Sequence, residues 1–217
     1  MLTLEKIING GFSATEIANR IFLIEDFVTP EEVGELLEIS KAATQDEWEG
    51  AYLDNMKSFS MEKFGRDDIE NLVAEGKLEL TGNWNDKILR IDKLNISAQI
   101  GKRVTALFDG VDGLRQGSSV GIIQRQYEGV ALTEHVDNHT DPSLDYACVA
   151  YLNDDYQGGE VFFSRFGIDL KPKPGSLLVF PTTEEWSHGV YEVKAGPVRY
   201  VLPIFVGKKD FYKNNKY

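Results

Sequence analysis

The residues that most often carry chemistry are scarce in this chain. A single cysteine, Cys148, stands among 217 residues. That excludes an intrachain disulfide, and between Ala147 and Val149 it reads as a small buried hydrophobe. Long apolar runs are also missing. The longest, such as Ile21-Phe22-Leu23-Ile24 and residues 176–181, fall far short of the roughly 20 residues a membrane span needs. The stretch Met1-Leu2-Thr3-Leu4-Glu5-Lys6 lacks a basic region followed by an apolar one, so no secretion signal is expected. Together these absences predict a reducing, intracellular, cytoplasmic setting without membrane association. Positive charge is short too, with 23 Lys and Arg against 35 Asp and Glu for a net −12. Such a surface repels phosphate backbones and argues against nucleic acid as a partner. It favours a neutral or basic peptide, protein or small molecule. Residues 208–216 alone are locally basic and read as a solvated terminus. Nothing in the composition fixes an oligomeric state.

What is present is an ordinary globular composition, 42% hydrophobic and 27% charged, in a chain long enough for one domain with a substantial core. No internal repeat or low-complexity linker divides it. Thr29, Pro30 and Glu32 have the capping-box arrangement, and Val33, Leu36, Leu37 and Ser40 follow at helical spacing. They predict a helix over residues 30–43, after a short strand over 20–27. A long helix is predicted over 85–109, with Leu94, Ala98, Gly101, Val104, Thr105 and Phe108 on one stripe that should pack on a sheet. Between these lies an irregular, aromatic-bearing stretch, 46–84, with a short helix expected over 67–75.

After Gly117 the texture changes. Short runs rich in Val, Ile, Tyr and Phe at 120–127, 131–135, 146–152, 160–164, 176–180, 187–193 and 199–205 are separated by turn signals. These are Gly158-Gly159, Pro172-Lys173-Pro174-Gly175 and Ala195-Gly196-Pro197. Short strands following helices predict a mainly β, α+β fold: a double-stranded β-helix, or jelly roll, buttressed by helices. Residues 1–217 read as one domain, with 1–116 as mostly helical support, 117–206 as the jelly-roll core and 207–217 as a basic tail.

Two of the three histidines stand in a pattern. His135 and Asp137 are two apart, and residues i and i+2 of a strand face the same side. His188 falls on a later extended segment that a jelly roll can bring alongside. Two imidazoles and one carboxylate are the donor set of a mononuclear non-haem iron(II) centre, which leaves positions open for a co-substrate and dioxygen. A His-x-Asp pair alone is common in proteins that bind no metal, so the reading depends on its surroundings. His139, followed by Asp141-Pro142, reads as a solvated turn histidine.

Arg199 supplies part of those surroundings. It opens the apolar run Tyr200-Val201-Leu202-Pro203-Ile204-Phe205. With a turn at residues 195–197, its strand is expected to pair antiparallel with that of His188 and to put the guanidinium in the same lumen. A buried guanidinium is costly without an anion, and no carboxylate of the chain is an obvious mate. A dicarboxylate ligand would supply a two-pronged, charge-assisted contact.

Four motifs then carry a resemblance: Gln124-Arg125-Gln126-Tyr127 with His135-Val136-Asp137-Asn138; Tyr151-Leu152-Asn153 with Gly158-Gly159-Glu160-Val161-Phe162-Phe163; Lys173-Pro174-Gly175 through Pro181; and His188-Gly189-Val190 with Arg199-Tyr200. In order and spacing they resemble the 2-oxoglutarate- and iron(II)-dependent oxygenases of the prolyl-4-hydroxylase type. The resemblance covers roughly residues 20–205 and is strongest from Gln124 onward; 46–84 carry no match. It implies iron(II) on His135, Asp137 and His188, with 2-oxoglutarate and O2 as co-substrates and ascorbate as an auxiliary ligand. Arg199 and Tyr151 would take the distal carboxylate of 2-oxoglutarate, Tyr127 would line its metal-chelating end, and Val190 and Phe205 would wall the pocket. Arg199 stands where collagen-type hydroxylases usually carry Lys, and so is more similar to the oxygen-sensing prolyl hydroxylases and their microbial relatives. Asp137, where related halogenases carry a small residue, favours hydroxylation.

Three readings follow. The first is a dioxygenase hydroxylating a prolyl residue in a peptide or protein, with succinate and CO2 as co-products. The second is a hydroxylase of a free amino acid or other small molecule. The third is a non-catalytic jelly-roll binding module. A lid in 46–84, with Trp48, Tyr52 and Trp84, would separate the first two: an open groove suits a polypeptide and a tight cap a small molecule. Repair of alkylated nucleobases, another use of this core, sits poorly with the acidic surface.

Overall fold

A computed structural model describes residues 1–44, 47–53, 58–59, 74–75, 83–90, 95–111 and 122–208. The helix expected over 67–75 lies, but for its last two residues, outside these, as do much of the expected lid and the tail from 209.

The N-terminal elements follow local rules. Helix α1 (Leu4–Asn9) is capped by Thr3, whose Oγ1 accepts from the Lys6 amide. Strands β1 (Ala14–Ala18) and β2 (Ile21–Ile24) form an antiparallel hairpin. Helix α2 (Pro30–Ala42) has the expected capping box: Thr29 Oγ1 accepts from the Glu32 amide at 3.3 Å and Glu32 Oε2 from the Thr29 amide at 2.9 Å. Strands β3 (Trp48–Leu53), β4 (Ser58–Phe59) and β5 (Asn83–Arg90) and helix α3 (Asn95–Leu107) complete this half.

Before residue 117 the described residues hold five strands beside three helices. One expectation fails here. The single long helix over 85–109 is a strand followed by a helix. β5 is recruited to the sheet by pairing with β6 (Ile122–Gln126), through Ile88↔Gln124, Leu89↔Ile123 and Arg90↔Ile122, and tertiary pairing overrides local periodicity. From Ile96 onward the amphipathic stripe is real. Ile96, Ile100, Val104, Leu107 and Phe108 are buried, whereas Ala98, expected on the stripe, is exposed.

The second half is as strand-rich as its sequence suggests. Strand β7 (Leu132–His135) runs into a one-turn helix, α4 (Asp137–Thr140). Then come β8 (Leu144–Tyr151), β9 (Gln157–Gly158), β10 (Val161–Phe163), β11 (Ile168–Leu170) and β12 (Leu177–Pro181). The last three are β13 (His188–Val190), β14 (Val193–Ala195) and β15 (Arg199–Gly207). Among the described residues, one sheet has nine strands in the order β1-β2-β12-β8-β15-β6-β5-β3-β4, a second has four, β11-β10-β13-β7, and β14 pairs with β9.

Alternation along the central strands explains the layering. On β15, Tyr200, Leu202, Ile204 and Val206 join Leu36, Ile100 and Val104 of α2 and α3, while Val201 and Phe205 join Phe163 and Ile168 of the four-stranded sheet. β8 divides the same way, Tyr146, Cys148 and Ala150 toward the helices, Ala147, Val149 and Tyr151 inward. With period two, a strand buried on both faces reads as a continuous apolar run and serves two cores at once. The space between the sheets is where the candidate site forms.

The expected hairpin between the His188 and Arg199 strands is not formed. β13 pairs with β10 and β7, and β15 pairs with β6 and β8 in the opposite sheet. The residues between them spend their length on β14, which pairs with β9 instead. Arg199 still faces inward, because it shares the parity of Val201 and Phe205 on β15.

Candidate active site

His135, Asp137 and His188 converge. Each offers a ligand atom, and the three atoms lie within 4.8 Å of one another. His135 and His188 are register partners across the β7–β13 ladder. Asp137 is not on the strand, as its spacing suggests, but opens α4. Val136 between them is still extended, at φ −126° and ψ 117°, so the same-side relation of i and i+2 survives the turn. His135 Nε2 stands 3.3 Å from Asp137 Oδ1, and His188 Nε2 3.9 Å from Oδ2.

The tautomers follow from the backbone. His135 Nδ1 lies 2.9 Å from the Thr133 carbonyl and His188 Nδ1 3.2 Å from that of Trp186. A carbonyl only accepts, so both Nδ1 atoms carry a proton and both Nε2 atoms face Asp137, where they attract the carboxylate when protonated and offer a lone pair to a cation when neutral. Burial pushes His188 down to about 4, which leaves a neutral imidazole near pH 7. Burial alone would raise the Asp137 carboxyl, but the two imidazoles beside it hold it below its ordinary value. Asp137 Oδ2 is buried without a hydrogen-bond partner. Two lone pairs and an unshared carboxylate oxygen pointing together are a donor set that fits a divalent cation.

The other sequence candidates lie at stated places. Arg199 is 3% exposed, its Nη1 donates to Gln126 Oε1 at 2.5 Å, and its guanidinium sits 5.3 Å from the Tyr151 ring centroid. Its Nε is buried and unpaired. Burial pushes the Tyr151 phenol up to about 12, so it keeps its proton. Tyr151 and Phe205 share the inward cluster with Phe163 and Phe180, whose rings lie 5.6 and 4.5 Å from that of His188. One aromatic wall thus links the triad to Arg199. Val190, opposite Val161 on β10, is buried on that inner side. The Tyr127 ring meets the Arg125 guanidinium at 4.8 Å, and Arg125 also covers Trp48 at 3.8 Å. His139 is exposed and meets Glu184 at 2.6 Å.

Sequence reasoning missed four neighbours. Gln126 sits directly opposite Arg199 in the β6–β15 register, a pairing legible only once the strands are known to be adjacent. Tyr156 is buried beside Arg199. Glu134, on the outer side of β7, accepts from Ser164 and, at 2.7 Å, from Ser187, the residue before His188. Gly189 lies under the Phe162 ring, where a Cβ would come within 2.4 Å. Gly158-Gly159, read as turn glycines, do have positive φ, but Gly159 also abuts Arg199.

With this geometry established, likeness to known proteins becomes informative. Residues 122–207 match the model of the 2OG-Fe(II) oxygenase superfamily. Prolyl 3-hydroxylase 3 of Homo sapiens is 39% identical over 57 residues, which is 24% of this chain and 8% of that protein. Prolyl 3-hydroxylase 2 of Rattus norvegicus is 37% identical over 57 residues, again 8% of its length. The chain therefore aligns with only a small part of these relatives. Among solved structures, a Pseudomonas putida prolyl-4-hydroxylase superposes with a TM-score of 0.57 at 19% identity, covering 88% of this chain and 94% of that one. A viral collagen prolyl hydroxylase from Paramecium Bursaria Chlorella virus-1, in its 2OG complex, gives 0.50 at 14%, covering 88% and 97%. At these identities the likeness is one of fold, the double-stranded β-helix.

Proposed function

We propose that the chain, whose residues 122–207 match the model of the 2OG-Fe(II) oxygenase superfamily, is a dioxygenase hydroxylating a C–H bond of a prolyl residue in a peptide or protein, with succinate and CO2 as co-products. The observation that carries this reading is the convergence of His135, Asp137 and His188 on a lumen shared with the buried Arg199, which meets no carboxylate among the described residues. When bound, iron(II) supplies the activation of O2 that the decarboxylation of 2-oxoglutarate drives. The protein's own residues do the rest. His135 and His188 would hold the metal through Nε2, kept in that tautomer by the Thr133 and Trp186 carbonyls, and Asp137 through its unshared oxygen.

Arg199 orients the co-substrate by its distal carboxylate, with the protonated Tyr151 as a neutral donor beside it. Phe163, Phe180, Val190 and Phe205 exclude water and so strengthen that charge contact. The choice of proline is supported by the prolyl hydroxylases among the relatives and fold neighbours, and the net charge of −12 suits a neutral or basic peptide. The test is anaerobic loading with iron(II) and 2-oxoglutarate, then exposure to O2 with proline-containing peptides. A product heavier by one oxygen atom, formed with succinate and absent in Asp137→Ala, is expected. Turnover of free proline or another small molecule but of no peptide would overturn the peptide assignment.

A further inference from the structure

The carboxylate clamp contains one more buried donor than the grip just described uses. Tyr156 lies on the stretch between β8 and β9 and is 3% exposed. Its hydroxyl and Nε of the adjacent Arg199 are both buried and form no hydrogen bond of good geometry, and the guanidinium lies close enough to interact with the phenol oxygen, to which it can only donate. A buried polar group left unpaired is costly and calls for an explanation.

The ring is held in place from two sides. Lys171 Nζ stands 4.5 Å from its centroid and donates to the Tyr156 carbonyl at 2.6 Å. Against the ring atoms Cε2 and Cδ2 lies Gly159, at φ +67°, where a Cβ would come 2.9 Å from Tyr156 Cε2 and 3.2 Å from Arg199 Cδ. Only the absence of a side chain at Gly159 lets the phenol and the guanidinium approach each other. Gln126 meanwhile occupies Arg199 Nη1 and leaves Nε to something else. Burial raises the Tyr156 phenol despite the neighbouring cation, so it is an O–H donor at neutral pH. An unused N–H and an unused O–H, side by side and dry, are complementary to the two oxygens of a carboxylate.

We propose that Tyr156 is a specificity-determining residue of the co-substrate site, its hydroxyl donating to the distal carboxylate that Arg199 holds, with Gly159 as the residue that permits the contact. This rests on the reading of the lumen as a 2-oxoglutarate site. Tyr156 thereby selects for a 2-oxo acid with a second carboxylate and discriminates against one that ends in a methyl group.

The experiment measures anaerobic equilibrium binding of 2-oxoglutarate and of 2-oxopentanoate, which lacks the distal carboxylate, to the Mn(II)-loaded protein. Tyr156→Phe keeps the ring between Lys171 and Gly159 and removes only the hydroxyl. It should weaken 2-oxoglutarate by about tenfold or more, the scale of a hydrogen bond to a charged group, and leave 2-oxopentanoate unchanged. Equal discrimination by wild type and Tyr156→Phe would overturn the assignment of Tyr156 while sparing the reading of the site. An equal loss of both ligands would make the residue merely structural and overturn it too. A wild-type protein that does not discriminate at all would instead remove Arg199 as the clamp, and the proposal with it.

Discussion

His135 and His188 are register partners on adjacent strands, and their rings lie 4.5 Å apart. The geometry of the proposed metal site is thus set by how closely β7 approaches β13, since each strand contributes one imidazole. Asp137 completes it from the turn that follows. Residues that govern this inter-strand approach should control metal affinity without touching the metal.

Gly189 is such a residue. A Cβ there would meet the Phe162 ring at 2.4 Å and the Leu132 carbonyl at 2.7 Å, and Leu132 belongs to β7. Gly189→Ala should therefore force β7 away from β13, destabilise the protein by about 1–3 kcal/mol, and weaken Mn(II) binding. Denaturant unfolding and a metal titration check this. Unchanged metal affinity would mean that β7 yields without moving His135.

Glu134 acts from the opposite side of β7. Its carboxylate joins Ser164 to Ser187, and hydrogen bonds from both hydroxyls hold its pKa below the usual carboxylate value. Both serines use the same oxygen, so Glu134→Gln should keep the brace and Glu134→Ala should lose it. The alanine variant is expected to bind Mn(II) about threefold to tenfold more weakly, on the scale of one or two ordinary hydrogen bonds, and the glutamine variant nearly as tightly as wild type. Equal losses in both would assign the effect to charge instead.

The pH dependence of the metal-free protein has a definite sign. Burial depresses His188 from 6.5 to about 4, so between these values the unfolded chain binds the proton and the folded protein does not. Stability should fall as pH drops through that window. His188→Asn should flatten that part of the profile, measured as unfolding midpoints across a pH series. An identical slope in the variant would show that other groups carry it.

The sequence made the local features plain and left the pairings hidden. The capping box at Thr29 and Glu32, the strands after Gly117 and the spacing of His135 and Asp137 are short-range patterns, and the folded chain keeps them. What one chain segment cannot encode by itself is which strand lies beside it. That is why 85–90 suggested helix yet belongs to a strand that pairs with β6, and why β15 joins β6 and β8 when a hairpin with β13 was expected. The roles of Gln126 and Tyr156 stayed hidden for the same reason, since each matters only through a neighbour distant in sequence. Tyr127, one residue past Gln126, has its ring against Arg125, while Gln126 meets Arg199. A single-residue step along a strand reverses the face.

The most direct test is the coupling between metal and co-substrate. Binding of 2-oxoglutarate should be measured anaerobically, with and without iron(II), in wild type, Asp137→Ala and Arg199→Ala. If the triad and Arg199 form one site, metal strengthens 2-oxoglutarate binding in wild type, Asp137→Ala loses that enhancement, and Arg199→Ala binds weakly with or without metal. Affinity that is indifferent to iron(II) in wild type, or intact in Arg199→Ala, would contradict a shared site.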